Sequence, residues 1–302
     1  MTRVATIPMQ RTLFDSIARS QARLAESQLQ MATGKKANDY AALGIEAVRN
    51  LSARTLLARQ EAHGAVANRL QTTLAIADIN LASAEGAAES LRAKLLEAIG
   101  TGRTSGLQGV VDEAFGRFRY AMNADEAGVA LFAGSRTGSP PFVPGSLAAT
   151  VGVPASAAFV NDDVKATARV ADGNDMVFGL TASEIGSELY EAFRTIAEAG
   201  PLGDTPTAAQ AAALVTAVGQ LNGGLKQVRA QWSENGRRQA QVDELAGRAS
   251  ERTLILSRLI ANNEDADMAE VASVLTQRRT ALEASYTVFG RLSQLSLVNY
   301  LP

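Results

Sequence analysis

The 302-residue chain contains no cysteine. Disulfides, thiolate nucleophiles and every zinc site that needs sulfur are excluded together. A single histidine rules out poly-histidine metal sites and leaves one candidate base for any hydrolytic triad. Aromatic residues are 5% of the chain, and much of its 46% hydrophobic content is alanine. That composition favours thin helix–helix seams over a thick globular core. Neither sign of charge dominates: 29 Lys and Arg face 31 Asp and Glu, for a formal net charge of −2. A nucleic-acid stripe or an anionic-membrane patch built on bulk positive charge is therefore not expected. Long hydrophobic runs are missing as well. No window approaches the ~20 apolar residues of a membrane span, and the stretch from Met1 to Arg11, with Arg3 and Pro8, holds no signal-peptide run. These shortages point to a cytoplasmic chain or one exported without a cleaved signal, and away from an enzyme.

What is present is helical periodicity. Ile17, Leu24 and Met31 recur every seven residues, and Gly34 stops the run. Val66, Leu70, Thr73, Ala77, Leu81, Ala84, Ala88, Leu91 and Leu95 then follow steps of three and four, the seam of a packed helix pair. From Leu43 to Ile99 this predicts a helix of ~57 residues, roughly 85 Å at 1.5 Å rise per residue. A glycine-rich loop from Gly100 to Gly109 leads to a further helix expected over 110–131.

At Phe132 the composition changes. Gly134, Gly138, Pro140, Pro141, Pro144 and Gly145 are turn punctuation. Val164 to Val170 alternates apolar and polar residues as a half-buried strand does, Asp172-Gly173 is a hairpin turn, and Met176-Val177-Phe178 reads as a second strand. Helix resumes at Thr181-Ala182-Ser183-Glu184, which has capping-box spacing. Thr205 and Pro206 offer a cap and first turn for a stretch from Thr207 to about Ala261, and Asn262 to Asp265 breaks it. In the last helix Leu275, Leu282 and Phe289 form one seven-residue stripe, and Val274, Ala281, Val288 and Leu295 a second beside it. So wide an apolar face needs more than one partner helix.

The expected fold is mainly α: a long antiparallel helical rod or coiled-coil bundle formed by the N- and C-terminal helices, with a small β-rich domain inserted in the middle. The division is 1–132 for the N-terminal helices, 133–181 for a β-rich outward domain and 182–302 for C-terminal helices that pack back. Ile17, Leu24, Met31, Leu275, Leu282, Phe289, Leu292, Leu295 and Tyr300 are the expected assembly interface.

Candidate chemistry is thin. Lys35 and Lys36 follow Gly34, but Leu29 stands where a phosphate loop needs its first glycine, and Ala37 follows Lys36. His63, with Glu61 and Ser52 in the same long helix, is expected to be a solvated or rim side chain without a pocket. Glu264, Asp265 and Asp267 could offer oxygen ligands to a divalent ion, yet they lack the spacing of a calcium loop and suit a helix start better. Arg237-Arg238 and Arg278-Arg279 read as solvated faces or inter-subunit ion-pair donors. No catalytic, cofactor-binding or metal residues are assigned.

Three stretches resemble the bacterial flagellin family, and within it the flagellin-like hook-associated proteins of the hook–filament junction. They are Met31 to Asp39; Leu131-Phe132-Ala133-Gly134 with Pro140-Pro141-Phe142; and Thr280 to Ser285, Val288-Phe289 and Leu292 to Leu301. Tyr40-Ala41-Ala42-Leu43-Gly44 departs from the Asp-Asp-Pro-like stretch often found there, and Asp265 to Ala269 is similar to the start of the final helix of flagellin itself. The resemblance implies a non-enzymatic structural subunit of the bacterial flagellum, secreted unfolded by type III export. It implies assembly with itself in a ring or helix, and contact with flagellin, with another hook-associated protein or the hook, and with an export chaperone. No cofactor, nucleic acid or membrane insertion is implied. Flagellin, and more remotely a cytoplasmic coiled-coil adaptor, are the other readings.

Overall fold

The computed structural model describes residues 3–37, 39–41 and 43–297, with side chains from 11 to 291. Seven helices and two hairpins follow in the order α1 (Arg3–Thr33), α2 (Glu46–Thr101), α3 (Leu107–Met122), β1 (Asp125–Glu126), β2 (Val129–Ala130), α4 (Ala155–Ala158), β3 (Thr167–Ala171), β4 (Asn174–Val177), α5 (Ala182–Glu198), α6 (Ala208–Glu264) and α7 (Met268–Leu297). The architecture is mainly α, with two separate two-stranded antiparallel sheets. The chain divides into two compact units, one of residues 1–59 and 252–302, the other of 60–251.

In the larger unit the expected α2 seam is buried from Leu70 onward except at half-buried Thr73; Leu81, Ala84, Leu91 and Leu95 have no exposed surface, whereas Val66 at its start is 36% exposed. These residues share one core with Val111 and Phe118 of α3, Leu189 and Phe193 of α5, and Leu221 and Val228 of α6. Shortage of aromatics does not make this core thin. Phe142 lies 5.0–6.0 Å, centroid to centroid, from Phe115, Phe118, Phe159 and Tyr190. Few rings suffice because they are concentrated in one place, each adding large apolar area and edge-to-face contacts. The Tyr190 hydroxyl donates to the Val153 carbonyl at 2.8 Å, so its one polar atom is satisfied.

Helix α3 ends at Met122, well short of the expected 131. The Asn123 side chain clasps Phe142, donating to its carbonyl and accepting from its N–H, both at 2.9 Å. Asp125 to Ala130 then form a tight hairpin, with Ala127 and Gly128 at positive φ and the Gly128 N–H bonded to Asp125. The expected strands are present but shifted. β3 and β4 occupy 167–171 and 174–177 around Asp172-Gly173, while much of 133–181 is irregular chain with one short helix and a single 3-10 turn. Ala133 and Thr181 bridge each other, and the Ala182 N–H bonds the Phe132 carbonyl. Gly134 has φ +68°, and a Cβ there would stand 2.5 Å from the Asp162 carbonyl oxygen, so only glycine fits.

Helix α6 starts at Ala208, two residues after the proline. Thr207 and Gln210 cap each other reciprocally, the Gln210 N–H to Thr207 Oγ1 at 3.2 Å and the Thr207 N–H to Gln210 Oε1 at 3.0 Å. The helix runs through Asn262 and Asn263 to Glu264, past the expected break, and Asp267 caps α7 by accepting from the N–H groups of Ala269 and Glu270.

Two substitutions test this packing. Phe142→Ala should cost about 3–5 kcal/mol, as aromatic truncation in a closed core does. Gly224→Ala should cost about 1–3 kcal/mol through overpacking, because its new Cβ would sit 2.8 Å from the Leu189 backbone nitrogen. Urea denaturation followed by the signal of Trp232, which is packed against the same core, would read both; an unchanged midpoint for either removes the corresponding contact from the argument.

Candidate functional site

The smaller unit is built on the pairing of α1 with α7. Partners run in opposite directions: Phe14 meets Phe289 edge-on at 4.9 Å, Gln21 meets Tyr286, Ser27 meets Arg278, and Lys35 meets Asp265. The two expected stripes belong to this seam. Ile17 and Leu282 are buried, and Leu24, Met31, Leu275 and Phe289 are half-buried. The intervening layer, which apolar periodicity alone misses, is mostly polar. On α1 it holds Ser20 and Ser27, and on α7 Arg278 and Ser285. Arg278 donates to Ser27 Oγ and to the Arg23 carbonyl, both at 2.6 Å. Polar groups at such positions fix register at a cost in stability. Arg278 is thus an intrachain donor, as are Arg279 to Glu283, and Arg237 and Arg238 to Glu234. Glu234 is pulled down to about 2, chiefly by the Arg237 hydrogen bond.

One end of the seam is closed by a carboxylate. The Glu264 side chain is 9% exposed and receives hydrogen bonds from Arg54 Nε at 2.8 Å and Nη2 at 2.6 Å, from the buried Asn50 amide, and from Lys35 Nζ at 3.4 Å. The Arg54 hydrogen bond, opposed by burial and helped by Asn50 and Lys35, holds Glu264 below the usual carboxylate range. The backbone repeats the link. The Lys36 N–H donates to the Glu264 carbonyl at 2.7 Å and the Ala266 N–H to the Gly34 carbonyl at 2.8 Å. Lys35 and Lys36 therefore belong to a clasp between the turn after α1 and the turn before α7. The acids Glu264, Asp265 and Asp267 are engaged by cations or helix N–H groups, and no cluster of ligands able to hold a metal ion exists among the described residues.

Apart from this clasp, the unit has little interior. Its buried apolar residues, among those described, are Ile17, Ala53, Ile260, Val271 and Leu282. Against them stand Ile45 at 85% exposed, Val48 at 74%, Ile255 at 63%, Leu51 at 58% and Phe14 at 57%. Of the second α7 stripe, Val274 is half-buried, and Ala281 and Val288 are exposed. The side chains of Leu292 and Leu295, and all of Tyr300, lie outside the described residues. The exposed set on α2 and the end of α6 was not legible as a stripe. Ile45, Val48, Leu51 and Leu56 recur every three to five residues at the start of the span expected to be one long helix.

His63 lies in the larger unit. Its side chain is only 12% exposed, and Nε2 stands 3.4 Å from Asp172 at the β3–β4 turn. It is a tether for that hairpin more than a solvated residue, and it has no nucleophile beside it among the contacts described.

No protein-family profile matches the chain, and no curated protein matches it in sequence. Solved structures do share its fold. A flagellar hook-associated protein from Vibrio parahaemolyticus matches 72% of this chain and 97% of its own length at TM-score 0.60 and 19% identity. FlgL of Bacillus cereus matches 70% and 99% at TM-score 0.57 and 15% identity. FlgL of Xanthomonas campestris covers the same shares at TM-score 0.56 and 12% identity. At such identities the likeness is one of fold.

The clasp makes a pH prediction. Because the folded-state value of Glu264 is depressed, its stabilisation is present above the free-glutamate range and is lost as pH falls through the folded value. Glu264→Gln should weaken the clasp at pH 7 by about 1–3 kcal/mol, less than a sealed ion pair because Arg54 and Lys35 are nearly half exposed. Hydrogen exchange at the Lys36 and Ala266 amides reads this directly. The difference between the two proteins should shrink below about pH 4; an equal difference at pH 3 and pH 7 would show that the carboxylate charge is irrelevant.

Proposed function

We propose that the chain is a non-enzymatic structural subunit of the bacterial flagellum, joining hook to filament and assembling through its terminal helices. The observation that carries this reading is the imbalance of the smaller unit, which buries few apolar side chains and leaves many large ones exposed. Such a surface is unstable in water as a free face and becomes an interior when neighbours cover it, so ordering and assembly are coupled. The fold shared with hook-associated proteins and the terminal motifs support the same assignment. Terminal helices that share only a thin, partly polar seam and carry no disulfides suit a subunit that is secreted unfolded, and they would engage an export chaperone before assembly. In the flagellum the terminal helices contact further copies, flagellin on one side and another hook-associated protein or the hook on the other.

Loss of the gene from the source organism should leave hooks without filaments and release unpolymerised flagellin into the medium. Filaments of normal length in that strain would overturn the junction role. Copy number separates the junction from the filament: a ring of subunits fits the first, thousands of copies per flagellum the second.

Two α7 substitutions separate folding from assembly. Val288→Asp adds a charge on the exposed stripe and should leave the isolated protein intact while blocking incorporation. Leu282→Asp buries an unpaired carboxylate in the α1–α7 seam, at several kcal/mol, and should disrupt both. Removing roughly the last 20 residues should likewise abolish incorporation while leaving the larger unit folded. Motility, electron microscopy and secretion are the measurements; motile cells with normal filaments carrying Val288→Asp would detach α7 from the interface.

A further inference from the structure

In the larger unit a groove of about 470 Å³ runs between α2 and the two hairpins. Val66, Leu70 and Leu74 form its floor, Val129 and Leu131 stand along one side, and Thr167 to Arg169 of β3 along the other. The β4 residues 174–177 do not line it, though Phe178 to Leu180 just past β4 do, so over Thr167 to Arg169 the groove lies along β3 and not along β4.

The register of that hairpin says what the edge offers. The Phe178 N–H donates to the Ala166 carbonyl at 2.9 Å, which makes 166 and 178 a hydrogen-bonded pair. Alternation makes Ala168 and Met176 the next such pair and puts Thr167 and Arg169 at the non-hydrogen-bonded positions opposite Val177 and Asp175. The N–H and C=O groups of Thr167 and Arg169 therefore point away from β4, and among the described residues they meet no protein partner. An edge with unpaired backbone groups beside an apolar trough is a template for another strand.

Charge adds a preference. Arg169 is committed to Asp175 through two bonds of 2.8 and 3.1 Å, and Glu126 accepts from Thr73 Oγ1 at 2.7 Å. Arg69, about one turn along α2 from Val66 and Thr73, lines the groove with no ion pair among the described residues.

We propose that this groove binds an extended peptide segment of a partner protein by strand addition to β3. Small or β-branched side chains at alternate positions rest on the α2 floor, and a carboxylate of the segment pairs with Arg69. A fatty carboxylate could use the floor and Arg69, but it would leave the edge amides unused; the outward-facing groups of Thr167 and Arg169 are what favour a peptide. This site is independent of the terminal helices.

The test uses the full chain and a fluorescein-labelled hexapeptide of alternating valine and threonine with one aspartate, read by fluorescence anisotropy. Saturable binding is expected. Methylating alternate peptide nitrogens should weaken it about tenfold or more, the loss of one or two backbone hydrogen bonds. Thr167→Pro removes one outward N–H without touching the ladder to β4 and should do the same, with an unchanged circular dichroism spectrum as the check on folding. Arg69→Glu should weaken the aspartate peptide and favour the version with lysine in its place. Equal binding of the methylated peptide would overturn strand addition, and displacement of both peptides by dodecanoate would reassign the groove to an amphiphile. Absence of saturable binding at millimolar peptide would overturn the proposal outright.

Discussion

A helix of about thirty residues with an apolar face must cover that face, and α1 and α7 cover only part of theirs with each other. Their shared seam alternates apolar layers with serines and one arginine, so it specifies register more strongly than it contributes stability. The carboxylate of Glu264 compensates at one end. It gathers Lys35 from the turn after α1 and Asn50 and Arg54 from the start of α2, and its own backbone carbonyl holds Lys36. Without that clasp the turns flanking the two helices would rely on a seam whose buried apolar residues, among those described, are Ile17, Val271 and Leu282.

The larger unit solves the opposite problem. There α2 and α6 are lined with alanine and leucine, and alanine lets helices approach closely but contributes little area per residue. The missing bulk comes from a few phenylalanines and Tyr190, several of them delivered by irregular chain between α3 and α5. Phe142 is the clearest case. A loop residue by sequence, it is a core residue by burial, and Asn123 holds its backbone in place through two hydrogen bonds that imitate a strand pair. Buried irregular backbone needs such substitutes because its one bridge, Phe142 to Phe159, leaves the Phe142 N–H and carbonyl to find other partners.

Which parts of this were legible follows from the range of the forces involved. The spans of α1, α2 and α7 could be read because amphipathic spacing is repeated over many turns, and the β3–β4 turn could be read because Asp172-Gly173 is a local signal. The premature end of α3 was also written locally, in Asn123, Asp125 and Gly128, but the apolar residues around them masked it. What could not be read was anything that depends on a distant partner. Ser20, Ser27 and Arg278 look like surface residues until the opposing helix is in place, and Lys35-Lys36 looks like a solvated helix-stop turn until Glu264 arrives from more than two hundred residues away. The aromatic core was hidden for the same reason, since composition counts rings and says nothing of where they converge. The exposed face of Ile45, Val48 and Ile255 is the reverse case, in which the residues look like core and nothing among the described residues covers them.

The bridge between Ala133 and Thr181 has a consequence for how the chain tolerates change. Entry to and exit from the intervening segment are hydrogen-bonded neighbours, and Gly134 admits Asp162 against the same root. Closing such a loop costs entropy that rises only with the logarithm of its length, about 0.6 kcal/mol for each doubling. Lengthening an exposed turn of this segment therefore costs the registers of α3, α5 and α6 little, provided that Leu147, Val153 and Ala158 keep their places in the core. Insertions and deletions confined to the outer turns should accumulate in relatives without re-tuning the helices, while the glycine and the bridging pair at the root stay fixed by geometry.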